Sequence, residues 1–178
     1  MDGPPDHDLM ARAAQGDERA FRMLALRHAG GAHRVARRIL GSDALAEEIV
    51  QDAFLRVWIN APRWRPESAF RTWLYRIVIN LCLNTKRHPA DLPLAVAGDP
   101  ADPAPDAGAA LELRERDEKL AAAVARLPAR QRAAIVLTYQ EGLSNAEAAA
   151  VLGTSVSGVE TLLVRARRLL REALGESP

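Results

Sequence analysis

The stretch SNAEAAAVLGTSVSGVETLLVRAR, residues 144–167, predicts two helices joined by a short turn. Ser144 and Glu147 form the S-x-x-E pattern of a capping box, which satisfies the free backbone groups where a helix begins. Gly153 favours the left-handed conformation that ends a helix, and Ser155 can cap the next one. The sequence therefore predicts a short helix, a turn and a longer second helix.

The second of these helices has one apolar face and one polar face. The apolar face is formed by Val159, Leu162, Leu163, Ala166, Leu169 and Leu170. The opposite face, after the capping Ser155, holds Ser157, Glu160, Thr161, Val164, Arg165 and Arg168. Polar side chains on the first turns of such a helix can read base edges, while later arginines meet phosphates. The pattern favours a helix-turn-helix DNA reader, and the alternative is an amphipathic hairpin that only builds a helical core.

A proline-rich segment separates this hairpin from the first half of the chain. Residues 88–110, HPADLPLAVAGDPADPAPDAGAA, contain five prolines and four aspartates but no lysine or arginine. Proline interrupts helices. The segment also has too little apolar surface to offset the entropy that it would lose on folding. We expect a flexible linker at 89–110 between a domain at 1–88 and a domain at 111–178.

Both domains are predicted to be helical, which gives an all-α protein of two small helical domains. In the first, Asp17 caps a helix to about residue 28, further helices cover about 30–40 and 43–60, and Ser68 caps a helix to about residue 87. In the second, helices are expected at about 111–126 and after Pro128, ahead of the hairpin.

The aromatic residues cluster in the first domain. Six of the eight aromatic side chains lie between Phe54 and Tyr75. Trp64 lies in a predicted loop between Arg63 and Arg65, which together offer the stacking surface and cations that single-stranded nucleic acid needs. The following helix carries Arg76, Asn80 and Asn84 on its outward face. Ordinary solvated side chains are the alternative interpretation of the two asparagines.

Composition excludes several classes of protein. The 24 basic and 23 acidic residues nearly cancel, no apolar run is long enough for a membrane span, and the acidic, proline-rich start is not a signal peptide. Cys82 is the single cysteine, so no intramolecular disulfide can form. The four histidines lack metal-ligand spacing, and no catalytic motif is present. We expect a cytoplasmic protein that is not an enzyme, is not inserted in a membrane, and binds neither metal nor cofactor.

The order of these parts resembles a known family. The matching stretches are EEIVQDAFLRVW (47–58), ESAFRTWLYRIVINLCLN (67–84) and RLPARQRAAIVLTYQEGLSNAEAAAVLGTSVSGVETLLVRARRLLRE (126–172). Together with the variable linker, they resemble the small extracytoplasmic-function (ECF, group 4) members of the bacterial sigma-70 family over about residues 8–174. The resemblance implies that the first domain is sigma region 2 and the second is sigma region 4.

The resemblance also implies partners. The face formed by Glu48, Gln51, Asp52 and Leu55 would dock on the clamp helices of the largest RNA polymerase subunit. Arg63, Trp64, Arg65, Ser68, Arg76, Asn80 and Asn84 would recognise and open the promoter −10 element, with one base flipped into the loop. Ser155, Ser157, Glu160, Thr161, Val164, Arg165 and Arg168 would read the −35 element. The second domain would contact the flap of the second-largest subunit, and the acidic linker would occupy the RNA exit path.

Some positions and alternatives remain open. Glu160 departs from the basic residue that many relatives carry, so an unusual −35 preference is expected. An anti-sigma factor would commonly hold such a protein, and Tyr75, Ile79 and Leu83 form a second apolar line that is either its docking surface or additional core. The rival functions are a stand-alone helix-turn-helix regulator, which would bind DNA tightly without polymerase, and a structural helical adaptor, which would not act on DNA.

Overall fold

The structure is a computed structural model that describes the backbone of residues 3–85 and 107–175 and the side chains of 3–85 and 117–175. The first helical unit contains α1 (Asp6–Ala13), α2 (Glu18–Leu40), α3 (Asp43–Asn60), a 3-10 turn (Ala61–Arg63) and α4 (Phe70–Asn84). The second contains α5 (Ala107–Arg126), α6 (Ala129–Ile135), a π-helical turn (Val136–Gln140), α7 (Asn145–Leu152) and α8 (Val156–Leu174). The all-α fold class is thus confirmed. Most of the predicted linker, with His88, lies outside the described residues.

The first unit buries the apolar faces that helical periodicity predicts. On α3 the buried positions are Ala46, Ala53, Phe54 and Val57. Phe21 of α2 packs edge-on against Trp58, with ring centroids 5.0 Å apart, and also meets Phe54. Edge-to-face aromatic pairs of this kind add stabilisation beyond the area that they bury. The α2–α3 hairpin and α4 therefore enclose one aromatic-lined core.

The prediction of two helices over residues 18–40 is wrong, because α2 is continuous through Gly30 and Gly31. Glycine weakens a helix but does not end it when tertiary packing compensates. A Cβ atom at Gly31 would lie only 2.8 Å from the hydroxyl oxygen of Tyr75 on α4. Gly31 is therefore a point of close approach between two helices.

Two other helix starts differ from prediction. Ser68 does not cap α4, since the residue before the helix is Ala69 and no side chain caps it. Ser68 instead lies exposed in the preceding loop. Helix α5 begins at Ala107, four residues before the predicted start at 111. Pro105 is the last proline of the predicted linker, so no proline prevents a helix from beginning at Ala107.

In the second unit, the helices begin and end near the proline, glycine and capping residues that the sequence predicts. Pro128 precedes α6, and Gly142, with φ of 68°, follows the π-helical turn. At α7 the Ser144 hydroxyl accepts a hydrogen bond from the Glu147 amide (3.2 Å). The Glu147 carboxylate accepts one from the Ser144 amide (2.8 Å). The predicted capping box is therefore confirmed.

The two units pack directly against each other, which the expectation of separated domains did not anticipate. Helix α4 contacts α7, and α2 contacts α6. The Tyr75 hydroxyl donates to the Glu141 carboxylate across this interface (2.8 Å), and Arg132 donates to the backbone carbonyl of Ile39 (2.8 Å). Tyr75 and Ile79 are consequently buried and Leu83 is partly buried. In this arrangement, the second apolar line of α4 belongs to the core.

Candidate nucleic-acid interface

The hairpin of α7 and α8 has the geometry of a helix-turn-helix. The two helix axes bend by 97° at the turn, within the range typical of this motif. Gly153 has φ of 61°, the left-handed conformation that a glycine adopts without strain. Ser155 caps α8 by accepting a hydrogen bond from the Gly158 amide (3.1 Å). The start and direction of α8 are therefore fixed by local hydrogen bonds.

The exposed side of α8 is called the reading face here. It comprises all seven predicted residues: Ser155, Ser157, Glu160, Thr161, Val164, Arg165 and Arg168. Val159, Leu163 and Ala166 are buried on the opposite side, as predicted. Thr161 donates to the carbonyl of Ser157 (2.9 Å), and Arg168 lies 3.7 Å from Glu172. Among the described residues, Glu160 and Arg165 have neither a hydrogen bond nor an ion pair.

Sequence reasoning missed one aromatic residue next to the reading face. The Arg167 guanidinium lies 5.8 Å from the ring centroid of Tyr139, a cation–π distance. Tyr139 lies on the π-helical turn and is largely exposed. The sequence signal was weak, because a single tyrosine in a helical segment is more often part of a core.

The loop before α4 places Trp64 at the wall of a cavity. The Trp64 amide donates to the carbonyl of Ala61 (3.2 Å), and the indole lies 6.4 Å from Trp73 between ring centroids. The indole is partly buried and also borders a cavity of about 320 Å³. The cavity is lined by Asp6, His7, Trp64, Pro66, Ser68, Ala69 and Phe70. Trp64 and Ser68 therefore share one open concavity.

Helix α1 forms one side of this cavity, which the sequence did not indicate. The Asp6 carboxylate pairs with Arg27 and with the Nε2 atom of His28 (2.8 Å) on α2. The His28 ring in turn lies 5.0 Å from the ring of Phe70. These contacts tie α1 to α2 and α4, so the cavity has a fixed wall.

The remaining predicted residues of the first unit are exposed polar side chains on the loop and on α4. Arg76, Asn80 and Asn84 are exposed at successive turns of α4, and Arg63 and Arg65 are exposed on the loop. The Arg65 guanidinium contacts only its neighbour's carbonyl (3.3 Å), and the other four have no partner among the described residues. Of the seven predicted residues of this group, the structure thus brings Trp64 and Ser68 together at the cavity and leaves the other five exposed on the loop and on α4.

Comparison with known proteins shows the family. Residues 24–90 match Sigma-70 region 2, and residues 117–170 match Sigma-70, region 4. The chain belongs to the sigma-70 family. It is 36% identical to RNA polymerase sigma factor CnrH of Cupriavidus metallidurans, over 96% of each chain. It is 35% identical to ECF sigma factor SigM of Mycobacterium tuberculosis, over 96% of this chain and 85% of SigM.

The structural likeness covers both units of this ECF sigma factor. A solved structure of CnrH in complex with the cytosolic domain of CnrY aligns with a TM-score of 0.70 at 32% identity. The alignment covers 97% of this chain and 99% of CnrH. The family membership and the all-α architecture predicted from the sequence are both confirmed.

The predicted docking face of this sigma factor lies on α3. Glu48 and Gln51 are exposed, and Leu55 exposes 57% of its surface. Asp52 is held by Arg56, which donates to both carboxylate oxygens (3.0 and 3.1 Å). Ile59, one turn beyond Leu55, is 64% exposed and was missed. The face therefore combines two apolar side chains with acidic and amide groups.

The described residues also bear on metal binding, thiol chemistry and membrane insertion. Within the side chains of residues 3–85 and 117–175, no group of three or more His, Cys, Asp or Glu could hold a metal ion. Burial raises the pKa of the Cys82 thiol to about 12, which leaves it protonated and unreactive. Among the described residues, no single helix is long and apolar enough to cross a membrane. Helices α7 and α8 together have the length and composition of a span, but they are bent by 97° at their junction.

Proposed function

We propose that this sigma factor is a promoter-specificity subunit that directs core RNA polymerase to −10/−35 promoters and takes part in initiation, without catalysing a reaction itself. The observation that carries the proposal is the presence of two exposed faces, one on each unit, that include polar side chains with no partner among the described residues: Arg76, Asn80 and Asn84 on α4, and Glu160 and Arg165 on α8. Exposed unpaired arginine and asparagine side chains suit DNA, since they offer donors to phosphates and bases. We assign region 2 to 1–88, the linker to 89–110 and region 4 to 111–178, all acting in the cytoplasm.

The first unit is proposed to recognise and open the −10 element. Its cavity offers the aromatic wall of Trp64 and the hydroxyl of Ser68 to an unpaired base. Stacking on an aromatic side chain is worth about 1–3 kcal/mol per base, which offsets part of the cost of unstacking. Arg76, Asn80 and Asn84 form an exposed row on α4 that can follow a single strand. This role also includes Arg63 and Arg65, which supply cations beside the indole.

The second unit is proposed to read the −35 element with α8 in the major groove. The 97° bend holds α7 away from the axis of α8, so the reading face can enter the groove while α7 crosses the backbone. Arg165 and Arg168 on later turns can approach phosphates. The same unit is proposed to contact the flap of the second-largest polymerase subunit.

Docking on polymerase is proposed to use α3. The exposed side chains of Glu48, Gln51, Leu55 and the tethered Asp52 present a mixed polar and apolar surface suited to the clamp helices of the largest subunit. The chain's net charge is only +1, so its own electrostatic attraction to DNA is weak. Binding to polymerase adds affinity because the contacts become linked.

The two units must separate before both elements are bound. Positions −10 and −35 are about 25 base pairs, or roughly 85 Å, apart along B-DNA at 3.4 Å per base pair. A packed body of this chain length has a diameter of roughly 40 Å. The chain between residues 85 and 107 can span roughly 70 Å when extended, which permits the separation. The packed arrangement is accordingly the form without promoter DNA.

An anti-sigma factor is proposed to regulate the protein. The relative CnrH, similar over both units, was solved bound to the cytosolic domain of CnrY. The exposed apolar side chains Leu55 and Ile59 on the docking face offer such an inhibitor a surface that polymerase would also need. The line of Tyr75, Ile79 and Leu83 is mostly buried in the packed arrangement and becomes available only after separation.

The test is transcription in vitro from a pool of random promoters with core polymerase alone, the sigma factor alone, and both together. We expect transcripts only from the combination, with two enriched boxes upstream of the start sites. Changing Trp64 to Ala should lower open-complex formation at a fixed promoter, whereas changing the partly buried Trp73, which does not line the cavity, to Phe should not. Tight binding of the free protein to duplex DNA in a gel shift, with no enriched promoter, would favour a stand-alone regulator instead.

A further inference from the structure

Glu160 presents an unpaired negative charge on the reading face. Its carboxylate is exposed and has no hydrogen bond or ion pair among the described residues, although arginines occupy positions 165, 167, 168 and 171 of the same helix. The other acid of this helix, Glu172, is paired with Arg168 at 3.7 Å. A carboxylate that approaches DNA is repelled by the phosphates. Its presence on the reading face costs affinity unless it accepts a hydrogen bond from a base.

The major groove restricts which base can donate that hydrogen bond. The amino groups of cytosine (N4) and adenine (N6) are the donors exposed there. Adenine also presents its N7 acceptor beside the amino group, which repels a second acceptor. Cytosine presents only the amino donor, so a carboxylate that enters the groove favours cytosine.

Val164 lies one helical turn beyond Glu160 and is the apolar member of the reading face. Its side chain is 63% exposed, although valine is a poor helix former and gains nothing from water. The apolar feature of the major groove is the 5-methyl group of thymine. A branched aliphatic side chain that lies among base-reading residues is suited to that methyl group.

The spacing of the two side chains sets the spacing of the bases. Four residues of α-helix advance about 6 Å, and base pairs are stacked 3.4 Å apart, so the two contacts fall one or two base pairs apart. We propose that Glu160 and Val164 read a cytosine and a thymine methyl group, one or two base pairs apart, in the −35 element. This inference rests on the proposed function, since it assumes that the reading face of α8 enters the promoter's major groove.

The experiment uses polymerase holoenzyme and a promoter library randomised at the −35 element with a fixed −10 element. Wild-type holoenzyme should enrich cytosine at one position by about tenfold or more. Glu160→Gln should shift that position towards adenine, because a glutamine amide pairs with adenine N6 and N7. Glu118→Gln removes the same charge from an exposed site on α5, outside the reading face, and should leave the preference unchanged. Overall transcription that rises in both glutamine variants without a shifted preference would show a charge effect alone and overturn the assignment of Glu160.

A second arm tests the methyl contact. On the best −35 sequence, replacing the neighbouring thymine by uracil removes only the methyl group. Transcription by the wild-type holoenzyme should fall several-fold on the uracil template. Transcription by the Val164→Ala holoenzyme should be equally low on the thymine and uracil templates. Equal use of thymine and uracil by the wild-type protein would overturn the assignment of Val164.

Failure of the proposed function gives a different result. If it is wrong, wild-type holoenzyme will enrich no −35 motif at all. If only this inference is wrong, wild-type holoenzyme will enrich a motif that the Glu160 and Val164 variants retain. Both side chains are exposed, so all variants should keep the wild-type melting temperature, which is measured first.

Discussion

Two arginines of the second unit have opposite surroundings. Arg132 on α6 is 1% exposed and donates to the carbonyls of Ile39 (2.8 Å) and Leu127 (2.9 Å). Arg165 on α8 is exposed and has no partner among the described residues. A buried guanidinium must be satisfied within the protein, whereas an exposed one remains available to another molecule. The same residue type is therefore structural in one place and suited to binding in the other.

The difference extends to whole surfaces. At the interface of the two units, the side chain of Glu141 is only 7% exposed and meets both the Tyr75 hydroxyl (2.8 Å) and Arg38 (3.4 Å). Among the described residues, Arg76, Asn80 and Asn84 of the α4 row have no partner, and neither do Glu160 and Arg165 on the reading face. Polar groups thus distinguish the surface that holds the packed arrangement from the surfaces proposed to bind DNA.

The largest expected effect separates the two arginines directly. Arg132→Met keeps the aliphatic length but leaves two buried carbonyls without their donor, so the free energy of unfolding should fall by about 3 kcal/mol. Arg165→Met should change it by less than about 0.5 kcal/mol. Urea unfolding followed by circular dichroism measures both. A loss below about 1 kcal/mol for Arg132→Met would contradict a structural role for this side chain.

The next effect concerns the interface pair. Tyr75→Phe removes one hydroxyl that donates to a buried carboxylate, and the free energy of unfolding should fall by about 2 kcal/mol. A double-mutant cycle with Glu141→Gln should show coupling between the two side chains. Additive effects of the two changes would mean that the hydrogen bond does not join the units in solution.

The same pair has a distinct pH dependence. Burial, followed by the hydrogen bond to Glu141, raises the pKa of Tyr75 above its ordinary value of 10.0. Because the pKa is raised in the folded state, the contribution of the Tyr75 hydroxyl to the free energy of unfolding is full below about pH 10. It is lost as the pH rises further, towards the folded pKa. The stability difference between wild type and Tyr75→Phe should thus be constant from pH 7 to 9 and shrink at pH 11. A difference unchanged at pH 11 would contradict the raised pKa.

Alanine substitutions at the adjacent glycines Gly30 and Gly31 should have stability effects of intermediate size and opposite sign. Gly31→Ala places a Cβ atom 2.8 Å from the Tyr75 hydroxyl oxygen, which is held by Glu141 and cannot move freely. We expect a net loss of about 1 kcal/mol from overpacking. Gly30→Ala meets only the Arg34 guanidinium at 3.7 Å and should stabilise the helix by about 0.5–1 kcal/mol. Thermal melting should therefore show a lower melting temperature for Gly31→Ala and a higher one for Gly30→Ala. A higher melting temperature for Gly31→Ala would refute the close approach of the two helices.

These glycines also show what the sequence can predict. The capping box, the turn at Gly153 and the polar face of α8 were predicted correctly because each depends on residues within one or two helical turns. The role of Gly31 was not predicted, because the residue that it accommodates, Tyr75, is 44 positions away. The seven residues of the −10 group were predicted from aromatic, amide and basic side chains and stay a prediction, whereas the α1 wall of the cavity was not predicted. Asp6 and His7 reach the cavity only through tertiary packing.

The smallest effect compares two exposed glutamates of the helix-turn-helix. Hydrogen bonds from the Ser144 amide and hydroxyl lower the pKa of Glu147, whereas Glu160 has no partner among the described residues. A lowered pKa means that the stabilisation by Glu147 is present above its unfolded-state value and is lost as the pH falls through the folded value. Glu147→Gln should therefore reduce stability at pH 7 by roughly 0.5 kcal/mol and flatten its decline in acid. Glu160→Gln should leave the stability at pH 7 unchanged, and equal urea midpoints for the two variants at pH 7 would remove the distinction between a paired and an unpaired acid.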